Sequence, residues 1–244
     1  PSSCSVYGAA NDEFLTEESQ TNPQTPYSIN KLQVEVGLSS MADKDFSPIA
    51  LRFGTIYGIS PRIRFDVVIN MLCGLAITSN KITLNSNGKA WRPHLHIEDA
   101  CQSFERCLDW NPNLGELVVL NVGQNEDNYQ VIDIANIIHT NVASSKLNYL
   151  SQSDAINGDE LVKDRKIQDG VDTRSYKVLF DKIDQTLPGF KCKWTVESGI
   201  QNLLNEFKEI SLTQDIFNKR EFYRLQQIEF LHNTNQINDN LLWN

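Results

Sequence analysis

The chain has 244 residues, 40% hydrophobic and 22% charged, a composition that suits an ordinary globular protein with one large core or two small ones. A net charge of −9 leaves no basic stripe to neutralise phosphates, which argues against a nucleic-acid partner. No apolar run approaches the roughly 18 residues that cross a bilayer, so no membrane partner is expected either.

The elements follow in chain order. Residues 9–26 are polar and carry Pro23 and Pro26, reading as a loop. A helix is expected over 27–42, and its apolar positions Ile29, Leu32, Val34 and Val36 fit burial on more than one side. Pro48 to Phe53, closed by Gly54, reads as a buried strand, and 61–78 as a mostly apolar helix. Lys81–Leu84 is a short strand ended by the turn Asn85-Ser86-Asn87-Gly88. From His96, the residues Ile97, Ala100, Cys101, Phe104 and Leu108 recur at helical spacing, with Glu98 and Asp99 set against the helix dipole. Asp99 is expected to cap or brace that helix.

Leu117 to Val122 is a continuous apolar run, as in a strand covered on both faces. Val131, Ile134, Ala135 and Ile138 stripe the next helix, and 147–152 and 176–180 read as short strands. Thr195 suits the N-cap of a helix carrying Val196, Ile200, Leu203, Leu204 and Phe207. The tail from Gln214 to Trp243 reads as one or two more helices with aromatic anchors. Strands alternating with helices indicate an α/β fold with a parallel sheet.

The five cysteines, Cys4, Cys73, Cys101, Cys107 and Cys192, are odd in number and scattered, without Cys-x-x-Cys or a secretory signal peptide. They are expected to be reduced, mostly core thiols of a cytoplasmic protein. His94-x-His96 lacks a third ligand in a recognisable spacing, so no metal is expected.

Tyr27 and Lys31 stand one helical turn apart in Thr25-Pro26-Tyr27-Ser28-Ile29-Asn30-Lys31-Leu32, which puts phenol and ammonium on one face. A cation beside a phenol lowers its pKa and makes it a usable proton donor and acceptor near neutral pH. Alone, such a pair also fits an ordinary helix surface. Its company is more specific. Ser2-Ser3-Cys4-Ser5-Val6-Tyr7-Gly8 precedes it, and Leu51-Arg52-Phe53-Gly54-Thr55-Ile56-Tyr57-Gly58 follows. Then come Ser60 to Asn70, Gly88-Lys89-Ala90-Trp91-Arg92-Pro93-His94-Leu95-His96-Ile97-Glu98-Asp99, Asn121-Val122-Gly123 and Asp172-Thr173-Arg174-Ser175-Tyr176.

These blocks, in this order, resemble the extended short-chain dehydrogenase/reductase family, the NAD-dependent nucleotide-sugar epimerases and dehydratases, over nearly the whole chain. The resemblance implies the C-terminal part of a Rossmann-type parallel sheet plus a smaller α/β substrate-binding domain. Residues 1–58 would be the remnant of the NAD(P)-binding domain, 59–95 a substrate-binding segment, 96–125 the return to the Rossmann sheet, and 126–244 a C-terminal substrate-binding region with a helical tail. It implies Ser3, Tyr27 and Lys31 as catalytic residues, with Tyr27 and Lys31 also touching the cofactor. Arg92 would hold the nucleotide diphosphate, a bidentate task suited to guanidinium. Arg174, Arg62, Arg64 and Asn70 are further substrate-binding candidates. Surface or capping roles stand beside these for the arginines, although Arg62 and Arg64 together suit one diphosphate.

Two departures matter. The dehydratases carry an Asp-Glu pair after the Ser/Thr, where Cys4-Ser5 stands here, so epimerisation or simple oxidation/reduction is expected instead. Many relatives have Asn at the position of Thr55, which leaves the sugar open. The cofactor implied is NAD or NADP, yet the sequence contains no Gly-x-x-Gly-x-x-Gly or Gly-x-Gly-x-x-Gly turn to receive a pyrophosphate. The expectation is therefore a C-terminal portion of a longer enzyme, inactive alone. The rivals are a non-catalytic module that binds a nucleotide-sugar and an aggregation-prone truncated product. A nucleotide-sugar is the expected partner, and the Tyr27 helix is compatible with a homodimer.

Overall fold

The computed structural model describes residues 1–10, 13–84, 86–110, 115–149 and 174–244. In chain order the first elements are β1 (Ser2–Ser3), a 3-10 turn (Cys4–Tyr7), β2 (Phe14–Leu15), α1 (Pro26–Met41), β3 (Ile49–Phe53) and β4 (Thr55–Tyr57). Next come α2 (Val68–Ser79), β5 (Lys81–Leu84), β6 (Trp91–His96), α3 (Ile97–Asp109), β7 (Val118–Val122) and β8 (Asn128–Gln130). The chain continues through α4 (Val131–Asn141), β9 (Lys146–Tyr149), β10 (Lys177–Val178), α5 (Asp181–Thr186) and α6 (Val196–Glu209). It closes with α7 (Gln214–Phe217), a 3-10 turn (Arg220–Phe222) and α8 (Arg224–Asn233).

The fold is α/β, built on a parallel sheet of order β1-β3-β7. The apolar run of β3 meets that of β7 in register, Ile49 opposite Val118 through Phe53 opposite Val122. Ser2 and Ser3 pair with Arg52 and Phe53 on the other side. After Gly54 the chain leaves this sheet for a second one, in which β4 runs parallel to β6 and β6 antiparallel to β8. Two short parallel pairs, β5 with β9 and β2 with β10, complete the strand pairing among the described residues.

Two hydrophobic cores result. One surrounds the three-stranded sheet and takes in Val6, Leu51, Phe53, Leu120, Val122, Val178, Phe180 and Ile183. The other joins α2, α4, α6 and β5 through Ile69, Leu72, Ile82, Ile134, Ile138, Leu203 and Phe207. Phe65 is its aromatic hub, with its ring centroid 4.7 Å from that of Phe217 and 5.7 Å from that of Phe207. Each such fully buried side chain contributes about 1.5–3 kcal/mol.

Several expectations change here. α1 is not buried on more than one side: Ile29, Val34 and Val36 are exposed, and only Ser28 and Glu35 are fully buried. The helix expected from residue 61 begins at Val68, because Arg64 pairs with Asp66 and Phe65 turns into the core, which holds 61–67 in a loop. On α3 the fully buried residues are Asp99, Ala100 and Ser103; Cys101 is exposed, as are Phe104 and Leu108. The loop 9–26 contains β2, and the strand expected at 176–180 shortens to Lys177–Val178. Of the cysteines only Cys4 and Cys73 are fully buried. Asn85, residues 150–152 of the expected strand, and Asp172-Thr173 lie outside the described residues.

Gly74 of α2 faces α7 so closely that an added Cβ would stand 2.2 Å from the Phe217 ring. Gly→Ala in an open helix gains about 1 kcal/mol; at Gly74 the sign should reverse. Gly74→Ala is expected to lose about 1–3 kcal/mol by overpacking, read as a lower urea midpoint at unchanged slope.

Candidate active site

The N-terminal strand ends in Ser3, whose extended backbone (φ −155°, ψ 139°) caps the 3-10 turn. Ser3 Oγ accepts from the Ser5 N–H at 3.2 Å, a bond that uses a lone pair and not the hydroxyl hydrogen. The start of α1 is fixed twice. Pro26 sits in its first turn, and Thr25 and Ser28 form a reciprocal capping box, with Ser28 N–H on Thr25 Oγ1 at 3.2 Å and Thr25 N–H on Ser28 Oγ at 3.1 Å. That start places Tyr27 in the first turn, 56% exposed, while Ser28 faces inward. Lys31 Nζ lies 5.6 Å from the centre of the Tyr27 ring and donates to the Pro1 carbonyl at 3.0 Å. Lys31 is thereby tied to the residue just before β1, the strand that ends at Ser3.

Beneath these residues lies a buried polar network that the sequence reading missed. Arg52 holds Glu35 with both ends of its fork, Nε to Oε1 at 2.9 Å and Nη2 to Oε2 at 2.6 Å. Ser2 Oγ donates to Glu35 Oε1 at 2.5 Å, and Arg52 Nη1 donates to Tyr7 Oη at 3.0 Å. Tyr7 Oη lies 2.8 Å from Asn121 Oδ1 and 2.9 Å from the Thr16 carbonyl oxygen. Burial, and then the neighbouring Cys4, push the Tyr7 phenol well above its usual range, with Arg52 opposing them, so it stays neutral. A signal was present: Arg52 stands inside an otherwise apolar strand, and such a charge requires a buried partner.

Cys4 and Ser5 occupy the two positions after Ser3. Cys4 is buried, its thiol donates to the Arg52 carbonyl at 3.1 Å, and burial drives its pKa far upward. Ser5 Oγ is buried with no partner among the described residues.

The substrate-binding candidates divide. Arg92 Nη1 donates to the Trp91 carbonyl at 2.7 Å and to the carbonyl of Arg174, and its guanidinium lies 5.1 Å from the centre of the Tyr176 ring. The structure thus brings Arg92 and Arg174 together. Arg64 is bidentate on Asp66 at 2.8 and 2.9 Å, and Arg62 is exposed. Asn70 is buried with both ends of its amide on backbone: Oδ1 accepts from Gly58 N–H and Nδ2 donates to the Arg64 carbonyl, each at 3.0 Å. Thr55 pairs with His94 between β4 and β6. A cleft of about 410 Å³, lined in part by Ser60, Pro61, Glu98, Gln102 and Lys193, includes none of Ser3, Tyr27 or Lys31.

Asp99 braces more than its own helix, accepting from the Lys193 and Trp194 N–H groups at 3.0 and 3.1 Å. His96 stacks on Trp194 with centroids 4.2 Å apart. His94 is fully buried, both ring nitrogens lack partners among the described residues, and burial, helped by Arg92, pushes its pKa down to about 3. No group of three His, Cys, Asp or Glu that could hold a metal occurs among the described residues.

His94 has a pH consequence. Its folded pKa lies below the unfolded value near 6.5, so the unfolded chain takes the proton and stability is lost as pH falls through that window. Asp127, raised to about 6 chiefly by burial, acts in the opposite direction over part of the same range. The difference between variants isolates the histidine. Relative to wild type, His94→Phe should gain about 2–3 kcal/mol between about pH 7 and about pH 4.5, measured by urea unfolding at each pH.

Comparison with known proteins gives one consistent picture. A family model described as "NAD dependent epimerase/dehydratase family" matches residues 1–123. An uncharacterized protein of Schizosaccharomyces pombe is 24% identical over 225 residues, 83% of this chain and 58% of the relative. MoeE5 in complex with UDP-glucuronic acid and NAD superimposes with a TM-score of 0.68 at 25% identity, covering 86% of this chain and 64% of MoeE5. The UDP-glucuronic acid 4-epimerase of Bacillus cereus, in complex with UDP-glucuronic acid and NAD, gives 0.66 at 22% identity over 86% and 60% of the two chains. The chain thus spans less than two thirds of the length of each of these relatives.

Proposed function

This chain belongs to the NAD dependent epimerase/dehydratase family, and on that premise we propose that the complete protein is an NAD(P)-dependent nucleotide-sugar epimerase or oxidoreductase. The observation that carries the reading is the Tyr27–Lys31 pair on one face of α1, tied through Pro1 to the strand that ends at Ser3. In this reading Ser3 holds the reacting sugar hydroxyl, and Tyr27 takes its proton with the Lys31 charge beside it. A nicotinamide held beside Tyr27 and Lys31 would supply the hydride acceptor for the same sugar carbon and the donor for its return. The O–H loses its proton and the C–H its hydride, and a ketone remains on the sugar. Its rotation before the hydride returns gives the epimer.

The residues present fit one end of the cofactor. The exposed Tyr27 phenol and the Lys31 ammonium suit the nicotinamide ribose, and either NAD or NADP meets that requirement. The sequence contributes no glycine-rich pyrophosphate turn, so turnover is expected of the complete protein and little of these 244 residues alone. In this reading 1–58 and 96–125 belong to the cofactor domain, and 59–95 and 126–244 to the substrate side. Dehydration is disfavoured, because a buried thiol of raised pKa and a buried hydroxyl replace the two carboxylates that it would use. Among the described residues no helix is long and apolar enough to cross a membrane. The five free thiols favour a reducing compartment, and on that ground we assign the protein to the cytoplasm. The exposed Ile29, Val34 and Val36 of α1 favour a homodimer through that helix.

Arg92, with Arg174 beside it, is the proposed diphosphate clamp, and calorimetry with a UDP- or dTDP-sugar tests it. Arg92→Ala should weaken binding by about 10- to 150-fold, the worth of a charged hydrogen bond. Unchanged affinity would remove the clamp from the account. Binding by the complete protein with no NAD bound would favour the non-catalytic module instead.

A further inference from the structure

We propose that Ser2, Glu35 and Arg52 are positioning residues of the reaction, a buried clamp that sets where α1 holds Tyr27 and Lys31 against the strand carrying Ser3. This rests on the catalytic reading above. The three side chains belong to the three elements concerned. Ser2 precedes Ser3 on β1, Glu35 lies one helical turn beyond Lys31 and two beyond Tyr27 on α1, and Arg52 is the β3 residue that pairs with Ser2. Each carboxylate oxygen of Glu35 is engaged, Oε1 by Ser2 and Arg52 and Oε2 by Arg52 alone.

Apolar packing cannot do this job for α1. Its only fully buried residues are Ser28 and Glu35, and Leu32 is partly buried against the sheet core. A hydrophobic contact tolerates sliding and rotation, whereas a bidentate guanidinium–carboxylate pair fixes both. Replacing such a pair by apolar residues often leaves stability intact, so what the polar version adds here is geometry. The network also continues through Arg52 and Tyr7 to Asn121 on β7, anchoring the clamp to the far strand of the sheet.

The test compares kinetic constants in the complete protein. Ser2→Ala removes one donor to Glu35 without adding bulk, and should lower kcat by about 10-fold with KM for the nucleotide-sugar within about twofold, as a misplaced catalytic group does. Glu35→Gln keeps the side-chain shape but strands the Arg52 charge, so it should show the same split together with a lower melting temperature. Ser2→Ala, which leaves the ion pair intact, covers the case in which Glu35→Gln folds poorly. Leu120→Val trims the same sheet's core on the apolar side and is the stability control: it should lower the melting temperature while leaving kcat unchanged. If Ser2→Ala and Glu35→Gln behave like Leu120→Val while Tyr27→Phe is inactive, the positioning role is wrong and the catalytic reading stands. If Tyr27→Phe is itself fully active, both fall.

Discussion

Replacing Arg52 with methionine should destabilise the protein by about 3–5 kcal/mol, because Glu35 is then left as an unpaired charge in the interior. Both side chains are almost inaccessible, at 6% for Arg52 and 5% for Glu35, so solvent screening does little to reduce the effect. Arg52→Met also deprives the Tyr7 phenol of the Nη1 donor, while the Ser2 hydroxyl keeps its carboxylate partner on Glu35. The double change Arg52→Met with Glu35→Leu removes the stranded charge and should recover most of that loss. Urea unfolding of wild type, both single variants and the double variant measures the coupling directly. A loss below about 1 kcal/mol for Arg52→Met would mean that the pair behaves as a surface ion pair.

Tyr27→Phe should reduce turnover of a nucleotide-sugar by the complete protein by about 10²–10⁴-fold, the usual worth of a positioned acid/base. The ring is more than half exposed and lies in the first turn of a helix whose start is fixed by Thr25, Pro26 and Ser28. Loss of one hydroxyl there should cost little stability, so a fall in kcat can be read as chemistry. KM should change little, since the diphosphate is assigned to Arg92 and Arg174. Lys31→Met should lower kcat as well, and should also weaken the cofactor.

What could be read from the sequence depended on how each residue earns its place. β3, β5, α4 and α6 were legible because their apolar periodicity coincides with their burial; α6 begins at Thr195 and buries Val196, Ile200, Leu203, Leu204 and Phe207 as spaced. α1 was misread because Ile29, Val34 and Val36 are apolar but face outward, while the buried positions are Ser28 and Glu35. Hydrophobic pattern gives no warning when a polar clamp holds a helix. The start of α2 was hidden because Arg64 and Asp66 pair locally and Phe65 enters the core from a loop. A two-residue strand such as β2 leaves no period at all, since its pairing is decided by β10, far away in the chain.

The site shows the same division. Tyr27 and Lys31 follow from helical spacing, and the structure sets the ammonium beside the phenol ring. The approach of Arg92 to Arg174 depends on how residues 174–176 meet β6, where Tyr176 N–H bonds the Trp91 carbonyl at 3.2 Å. Asn70 was named only through the family resemblance, and its two backbone bonds to Gly58 and Arg64 emerge only when the loop closes around it.

The central claim, that Tyr27 and Lys31 serve hydride transfer at a sugar carbon, is tested most directly by mixing the complete protein, loaded with oxidised NAD or NADP, with a UDP- or dTDP-sugar and following the nicotinamide spectrum in a single turnover. The account predicts transient appearance of the reduced cofactor in wild type and its absence in Tyr27→Phe. Tight sugar binding with no reduced nicotinamide at any time in the wild-type protein would contradict it.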